Sequence, residues 1–273
     1  MSLLEEAKYL LRSHRIVPNR LLGQNFMVDS SVYPRLVDYA SLNSSDVVLD
    51  IGAGFGFLTR FLAGRCKGIL AVETDPKIAK VLRERLVGLP TVSVIEGNIL
   101  KVPIPLFNKV ISIPPYHISS RLFVWLFDKK IDCAVLILQK EFANRLVANI
   151  GSEDYGWLTV LAYYYYETEL LDAVPKQMFH PEPEVDSAVV RLRARQSPRF
   201  NVKNERLFRQ LARSLFTQRN KKVRNSVLSF LKGVLGMKED DAAKLALILP
   251  FCGRRARELA PEDFGALANA LSS

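Results

Sequence analysis

The sequence predicts an open, doubly wound α/β sheet, mostly parallel and about seven strands wide, with a small all-helical domain after it. Three observations predict this. Short β-branched runs recur up to residue 195, segments of helical spacing separate most of them, and beyond QSPRFN (196–201) every periodic segment is helical. The runs VVLDI (47–51), ILAVE (69–73), VSVIEG (92–97), KVISI (109–113) and CAVLILQ (133–139) are nearly continuously apolar. Strands covered on both faces in a parallel sheet read this way. The segments GFLTRFLAGR and PKIAKVLRERLVGL have helical spacing and end near Gly or Pro. A helical stretch at 140–166 leads to two further strands, TELLDAV (168–174) and SAVVRLRAR (187–195). Right-handed crossovers join such units. The domain boundary is therefore expected at 196, giving a sheet domain over 1–196 and a helical domain over 197–273. In the latter, NERLFRQLARSLFTQRNKKVRNSVLSFLKGVLG and EDDAAKLALIL are helical by period. APEDFGALANALSS opens with Pro261 and two acids, a sound first turn.

The chain has 273 residues, 49% of them apolar and 24% charged, enough for a proper core in an ordinary globular protein. Cys66, Cys133 and Cys252 are far apart and form no CxxC pair. That argues against a disulfide framework and a zinc site, and for a reducing compartment. The start, MSLLEEAKYLLRSHRI, carries acids and lacks the apolar core of a secretory signal, and no apolar run is long enough to span a membrane. The expected location is cytoplasmic. Net charge is +10, and between Arg191 and Lys232 thirteen Lys/Arg face one acid, Glu205. So one-sided a bias suggests a polyanionic partner at the entrance to the helical domain, nucleic acid before membrane.

Strand VVLDI leads into GAGFGFLTRFL, so Gly52, Gly54 and Gly56 follow a strand and open a helix. Glycines there let the backbone approach a ligand. The GxGxG spacing differs from the GxGxxG of dinucleotide sites, and Gly52 alone fits a simple tight turn equally well. The next strand ends in Glu73, placed to accept ribose hydroxyl hydrogens, and Asn98 beyond the third strand could read an adenine edge. IPPY sits at the carboxyl end of the fourth strand and faces the same crevice. Its prolines fix the backbone and remove N–H groups, leaving rigid carbonyls without competing donors. Tyr116 adds a flat face. A planar base whose exocyclic amine must be held beside a reactive cofactor needs both features. A plain strand-ending turn with a packed ring is the alternative.

Several separated motifs carry a resemblance over nearly the whole chain. LLGQNFMVD (21–29), DIGAGFGFLT (50–59), AVETD (71–75), IEGNIL (95–100), LQKEFANRLVA (138–148), YGWLTVLAYY (155–164), FHPEPEVDSAVVRL (179–192) and FTQRNKKVRNSVL (216–228) resemble the KsgA-type small-subunit ribosomal RNA adenine N6,N6-dimethyltransferases. The resemblance implies a Rossmann-like methyltransferase sheet and S-adenosylmethionine as cofactor, with Gln24, Asn25, Met27, Gly52, Glu73 and Asn98 around it. It implies two adjacent adenosines of small-subunit rRNA, in the 3′-terminal hairpin, as targets, each methylated twice at N6 late in subunit assembly. The 1–196 region becomes the methyltransferase domain and 197–273 the RNA-binding domain. In the family, an Asn side chain and the carbonyl after it accept the target amine's hydrogens. Aligned on Pro-Tyr, that Asn is Ile113 here, which cannot accept a hydrogen bond. The expected catalytic set is Ile113, Pro114, Pro115, Tyr116 and Phe179, the last resembling the family's second stacking aromatic. A lost contact of this type is worth roughly 2.7–4 kcal/mol. Ser112 is the neighbouring hydroxyl, but alternation along the strand points it away. Asn98 stands where the family commonly has Asp, which keeps an acceptor and loses its charge.

Three readings follow: an active dimethyltransferase, an rRNA-binding assembly factor weakened by Ile113, or a nucleotide-dependent oxidoreductase. Monomethylation of large-subunit rRNA is a variant of the first. GxGxG spacing, the PPY turn and the basic tail count against the third. Arg219, Lys221, Lys222 and Arg224 are expected to contact phosphates, and nothing demands more than a monomer.

Overall fold

A computed structural model describes residues 1–19 and 23–272, so Leu21 and Leu22 of the LLGQNFMVD segment lie outside the described residues. Helix α1 (Leu3–Ser13) starts on a reciprocal cap, in which Ser2 Oγ accepts the Glu5 N–H and the Glu5 carboxylate accepts the Ser2 N–H. After it come β1 (Phe26–Met27), α2 (Tyr33–Ala40), β2 (Val47–Ile51), α3 (Phe57–Leu62), β3 (Gly68–Glu73), α4 (Pro76–Arg85), β4 (Val92–Glu96), β5 (Lys109–Ser112), α5 (Ser119–Leu126) and β6 (Cys133–Gln139). The chain continues through α6 (Lys140–Leu146), α7 (Trp157–Tyr165), β7 (Tyr166–Val174), β8 (Phe179–His180) and β9 (Ser187–Ala194). It closes with α8 (Glu205–Phe216), α9 (Val223–Ser226), α10 (Leu228–Gly233), α11 (Glu239–Ile248) and α12 (Pro261–Ala270).

All the expected strands join one seven-stranded sheet in the order β4-β3-β2-β5-β6-β9-β7. β2 pairs in parallel with β3 and β5, β3 with β4, and β5 with β6, whereas β9 runs antiparallel to β6. The order reverses between β2 and β5, which opens a crevice beyond the carboxyl ends of the strands. Val110, Ile111, Leu136 and Ile137 in the centre are fully buried, while the edge strand β4 alternates because its outer face meets solvent. At the opposite end of the sheet, the apolar run KVISI begins with a charge. Lys109 is buried there against Asp46 at 2.8 Å and donates to the Ala40 and Ser41 carbonyls. Only such pairing makes burial of a lysine tolerable.

Two features depart from the sequence reading. First, β1 and β8 form a second, two-stranded antiparallel sheet with Phe26 opposite His180 and Met27 opposite Phe179. It brings the GQNF and FHPEP motifs together. Second, the chain divides into one unit of Met1–Ala143 and Glu169–Ala194 and another of Asn144–Thr168 and Arg195–Ser273. The boundary expected at 196 is close to the last crossing, but residues 144–168 group with the helices. The cause is aromatic packing: Tyr164 meets Phe200 and Phe208 at 4.9 and 5.1 Å, and the Tyr155 hydroxyl donates to the Leu259 carbonyl at 2.7 Å. The tyrosine run 163–166 serves this core and the start of β7. Among the described residues no helix is long and apolar enough to cross a membrane.

Candidate active site

The carboxyl ends of β2, β3 and β4 are tied together by the residues that the motifs predict. Gly52 leaves β2 with φ +73°, and a Cβ there would lie 2.6 Å from Pro115 Cδ. Only glycine lets the loop pass so close to the PPY turn. Its N–H donates to the Val72 carbonyl at 2.8 Å. Glu73 is 6% exposed. Its carboxylate accepts the N–H groups of Gly54, Thr74 and Asp75 at 2.8–2.9 Å. Burial pushes its pKa up, and the hydrogen bonds from Asp75, Gly54 and Thr74 oppose that. A carboxylate has about four acceptor positions, so capacity remains for a ligand hydroxyl. Asn98 Oδ1 accepts the Leu100 N–H at 2.9 Å and keeps its second lone pair beside the wall formed by Val72, Ile99 and Ile118. Gln24 bridges elements: its Oε1 accepts the Asn19 N–H at 2.7 Å, and its Nε2 donates at 2.9 Å to Asp75, which caps α4. Gln24, Asn25, Gly52, Gly54 and Glu73 line one cavity, and Asn25, Met27 and Gly52 line the next. Gly56 is the exception. A Cβ there would meet Leu82 Cδ1 at 2.6 Å, so this glycine answers to the packing of α3 on α4.

The sequence reading overlooked Asp50. It is 2% exposed, receives a 2.7 Å hydrogen bond from the Thr59 hydroxyl, and lines the crevice with Tyr33 and Ile113. Burial pushes its pKa up to about 7, against the Thr59 hydrogen bond and aided by the Glu73 charge. A carboxyl whose native pKa is raised holds its proton better folded than unfolded, so its contribution to stability falls as pH rises from about 4 to about 7. The slope reaches at most about 1.4 kcal/mol per pH unit. Asp50→Asn is therefore expected to gain stability on the wild type between pH 5 and pH 8, read from urea midpoints at both values.

These residues also test the cofactor that the resemblance implies. The described residues lining the crevice include the carboxyl groups of Asp50 and Glu73 but no Lys or Arg. A ligand carrying a sulfonium and an ammonium suits such walls. The pyrophosphate of a dinucleotide does not, because an anion there meets like charge without a compensating cation.

At the end of β5, Ser112 is fully buried and its hydroxyl both accepts the Ile51 N–H and donates to the Ile51 carbonyl, at 2.9 and 2.8 Å. It is thus committed to β2, as alternation along the strand requires. Ile113 and Pro114 line the crevice with Pro115 and Tyr116. The Pro114 carbonyl accepts no hydrogen bond from a described residue. A short 3-10 turn (Tyr116–Ile118) follows, held by the Ser119 hydroxyl on the Tyr116 carbonyl. The Tyr116 hydroxyl lies 2.6 Å from Ser187 Oγ. Tyr116 borders both the crevice and a wider cavity walled by Gln139 and by Pro181, Glu182, Pro183 and Glu184. Phe179 is placed differently from expectation. It is 3% exposed and presents an edge-to-face contact to Tyr116, centroids 6.5 Å apart. Paired with Met27 in the small sheet, it backs the half-buried Tyr116.

The basic set lies in the helical unit. Lys221 and Lys222 are exposed and Arg224 is half-buried. Arg219 is committed instead: its guanidinium donates to the Ser152 and Glu153 carbonyls, both at 2.6 Å. The fold also brings Arg254 and Arg255 beside this turn, because Lys222 bridges to Arg255 and the Val223 N–H donates to the Arg254 carbonyl at 2.7 Å, but both guanidinia are paired, Arg254 with Asp263 and Arg255 with Glu258.

Comparisons with known proteins show the family. Residues 18–243 match the family model for ribosomal RNA adenine dimethylase. A probable ribosomal RNA small subunit methyltransferase A of Methanosarcina acetivorans is 42% identical over 250 residues, covering 91% of each chain. A ribosomal RNA small subunit methyltransferase A of a Geobacillus species is 35% identical over 265 residues, covering 92% of this chain and 90% of its own. Among solved structures, a dimethyladenosine transferase from Plasmodium falciparum superposes with a TM-score of 0.76 at 26% identity, over 89% of this chain and 95% of its own. The 23S rRNA methyltransferase ErmE gives 0.65 at 29% identity, over 91% of this chain and all of its own. The chain belongs to the ribosomal RNA adenine dimethylase family, enzymes on a Rossmann-like sheet that use S-adenosylmethionine.

Proposed function

We propose that the protein methylates N6 of two adjacent adenosines in the 3′-terminal hairpin of small-subunit rRNA, twice each, late in assembly of the subunit. The observation that carries this reading is the PPY turn. Pro114, whose carbonyl accepts no hydrogen bond from a described residue, lines the crevice, and Tyr116 lines both the crevice and the wider cavity. S-adenosylmethionine, when bound, supplies a methyl group already activated on a sulfonium. Glu73, Asn98 and Asp50 would hold its ribose, adenine and cationic parts. The residues then have one task, to place the amine in line and in reach. Tyr116 offers the face on which the base lies, and the Pro114 carbonyl takes one amine hydrogen. Lys221, Lys222 and Arg224 supply phosphate contacts, each expected to steepen the salt dependence of RNA affinity by somewhat less than one unit. Arg219 contributes by holding the 152–153 loop. On this reading the protein acts as a cytoplasmic monomer on the small subunit or its precursor.

The testing experiment adds purified protein and S-adenosylmethionine to small subunits from a strain lacking the modification. Digested RNA is then analysed by mass spectrometry. Dimethyladenosine at two neighbouring positions is the expected result. Subunits that are bound but unmethylated would sink the reading and leave an assembly factor disarmed at Ile113.

A further inference from the structure

Helix α1 precedes residues 18–243, the part of the chain that matches the family model. It is fastened along one side. Ala7, Leu10 and Leu11 are buried, and Glu6 is paired with Arg85 at 2.7 Å and with Arg60 at 3.3 Å. The other side carries Lys8, Arg12 and, just past the helix, Arg15, all exposed. Among the described residues, none of the three is paired with an acid. Arg12 Nε donates to the Lys8 carbonyl at 3.3 Å, within the helix itself. Glu5, the nearest acid in sequence on that side, holds the Ser2 N–H.

Arg15 stands where the backbone favours another residue. The helix closes with the Ile16 N–H on the Leu11 carbonyl at 2.8 Å and the Arg15 N–H on the Arg12 carbonyl at 3.2 Å. Arg15 takes the left-handed position of this closure, with φ +51°. Glycine is the residue of least cost there. An arginine serves such a turn poorly, so the reason for it lies in its exposed side chain. The stripe also adjoins the wider cavity. Burial pushes the His180 pKa down and the Lys8 charge adds to this, so Lys8 stands near the small sheet in which His180 pairs with Phe26. Pro181, the next residue, walls the wider cavity with Glu182 and Glu184. Acid walls repel phosphate, so an RNA whose base enters this cavity needs cations beside it for the backbone left outside. A membrane surface fits less well, because the apolar side of α1 is already spent on the core.

We propose that Lys8, Arg12 and Arg15 form a phosphate-binding stripe that holds the rRNA backbone beside the cavity entered by the target base. The stripe is distinct from the basic set of the helical unit and lies before every motif that carries the family resemblance. The inference rests on rRNA being the substrate, and not on the methyl transfer itself.

The test titrates fluorescently labelled small subunits lacking the modification with wild type, Arg15→Gly and the triple variant Lys8→Ala/Arg12→Ala/Arg15→Gly, between about 50 and about 200 mM salt. The triple variant is expected to bind at least about tenfold more weakly at the low-salt end. It should also flatten the plot of log affinity against log salt by about two to three units. Arg15→Gly removes somewhat less than about one unit of slope. Its thermal midpoint is expected at or above that of wild type, because glycine relieves the turn. A structural role of Arg15 would lower the midpoint instead. Wild-type affinity and slope in the triple variant would overturn the assignment. So would weaker binding with the slope intact, which would place a ribosomal protein rather than phosphate against α1, or an Arg15→Gly midpoint below wild type. A wild-type protein that fails to bind the subunits overturns the functional reading and this inference with it. One that binds them with the expected salt dependence but transfers no methyl group overturns the functional reading alone.

Discussion

Tyr116→Ala is expected to lower kcat/KM for RNA methylation about a hundredfold while leaving cofactor affinity within a few fold. Stacking of a base on an aromatic ring is worth roughly 1–3 kcal/mol by alanine substitution, and the ring here also anchors the turn that presents Pro114. Tyr116→Phe separates the two contributions. It keeps the face and loses only the hydroxyl contact with Ser187 at 2.6 Å, about 1 kcal/mol for a neutral hydrogen bond. The phenylalanine variant should therefore remain within about tenfold of wild type. Burial pushes the Tyr116 pKa up to about 12, against the Ser187 hydrogen bond, so its hydroxyl stays protonated throughout any practical assay range. Steady-state rates from pH 6 to 9 should show no ionisation that vanishes in Tyr116→Phe.

Glu73→Ala is expected to act on cofactor affinity and on folding together. The carboxylate satisfies the Gly54, Thr74 and Asp75 N–H groups. Its removal strands donors in a nearly closed site, at about 1–3 kcal/mol for each that water fails to reach. A loss of about 3 kcal/mol in denaturant stability is the expected outcome. Affinity for S-adenosylmethionine, measured by calorimetry, should fall about a hundredfold or more, because the loop carrying Gly52 and Gly54 loses its tether and, on the proposed reading, the ribose loses its acceptor. Glu73→Gln keeps the shape and two lone pairs but brings two donors toward other donors, so it should recover only part of each loss. An alanine variant that binds cofactor like wild type would remove Glu73 from the site.

The basic residues illustrate how a charge count misleads about single side chains. Arg219 neighbours Lys221, Lys222 and Arg224 in sequence, yet its guanidinium is occupied by the Ser152 and Glu153 carbonyls. A planar fork of donors closes such a loop well, and spacing carries no trace of the loop because it lies 66 and 67 residues away. Arg254 and Arg255 adjoin the same turn from a distant part of the sequence, and they too are occupied, by Asp263 and Glu258.

By itself the sequence determined the parallel sheet, its strands and the loops at their carboxyl ends. Apolar runs, helical spacing and glycines at strand exits are local properties, and each leaves its signature within about ten residues. The same holds for the position of Gly52, Glu73, Asn98 and the PPY turn, since strand ends in such a sheet converge on one crevice. Only the tertiary structure decided what those residues are free to do. It spent Gln24 on Asp75 across 51 residues and Tyr116 on Ser187 across 71. It gave Gly56 to Leu82, turned Phe179 into the support of Tyr116, and gathered residues 144–168 into the helical unit. It also buried Asp50 beside the crevice. A polar side chain acts on a ligand only when no neighbour already occupies it, and neighbours are set by packing between segments that the sequence keeps far apart.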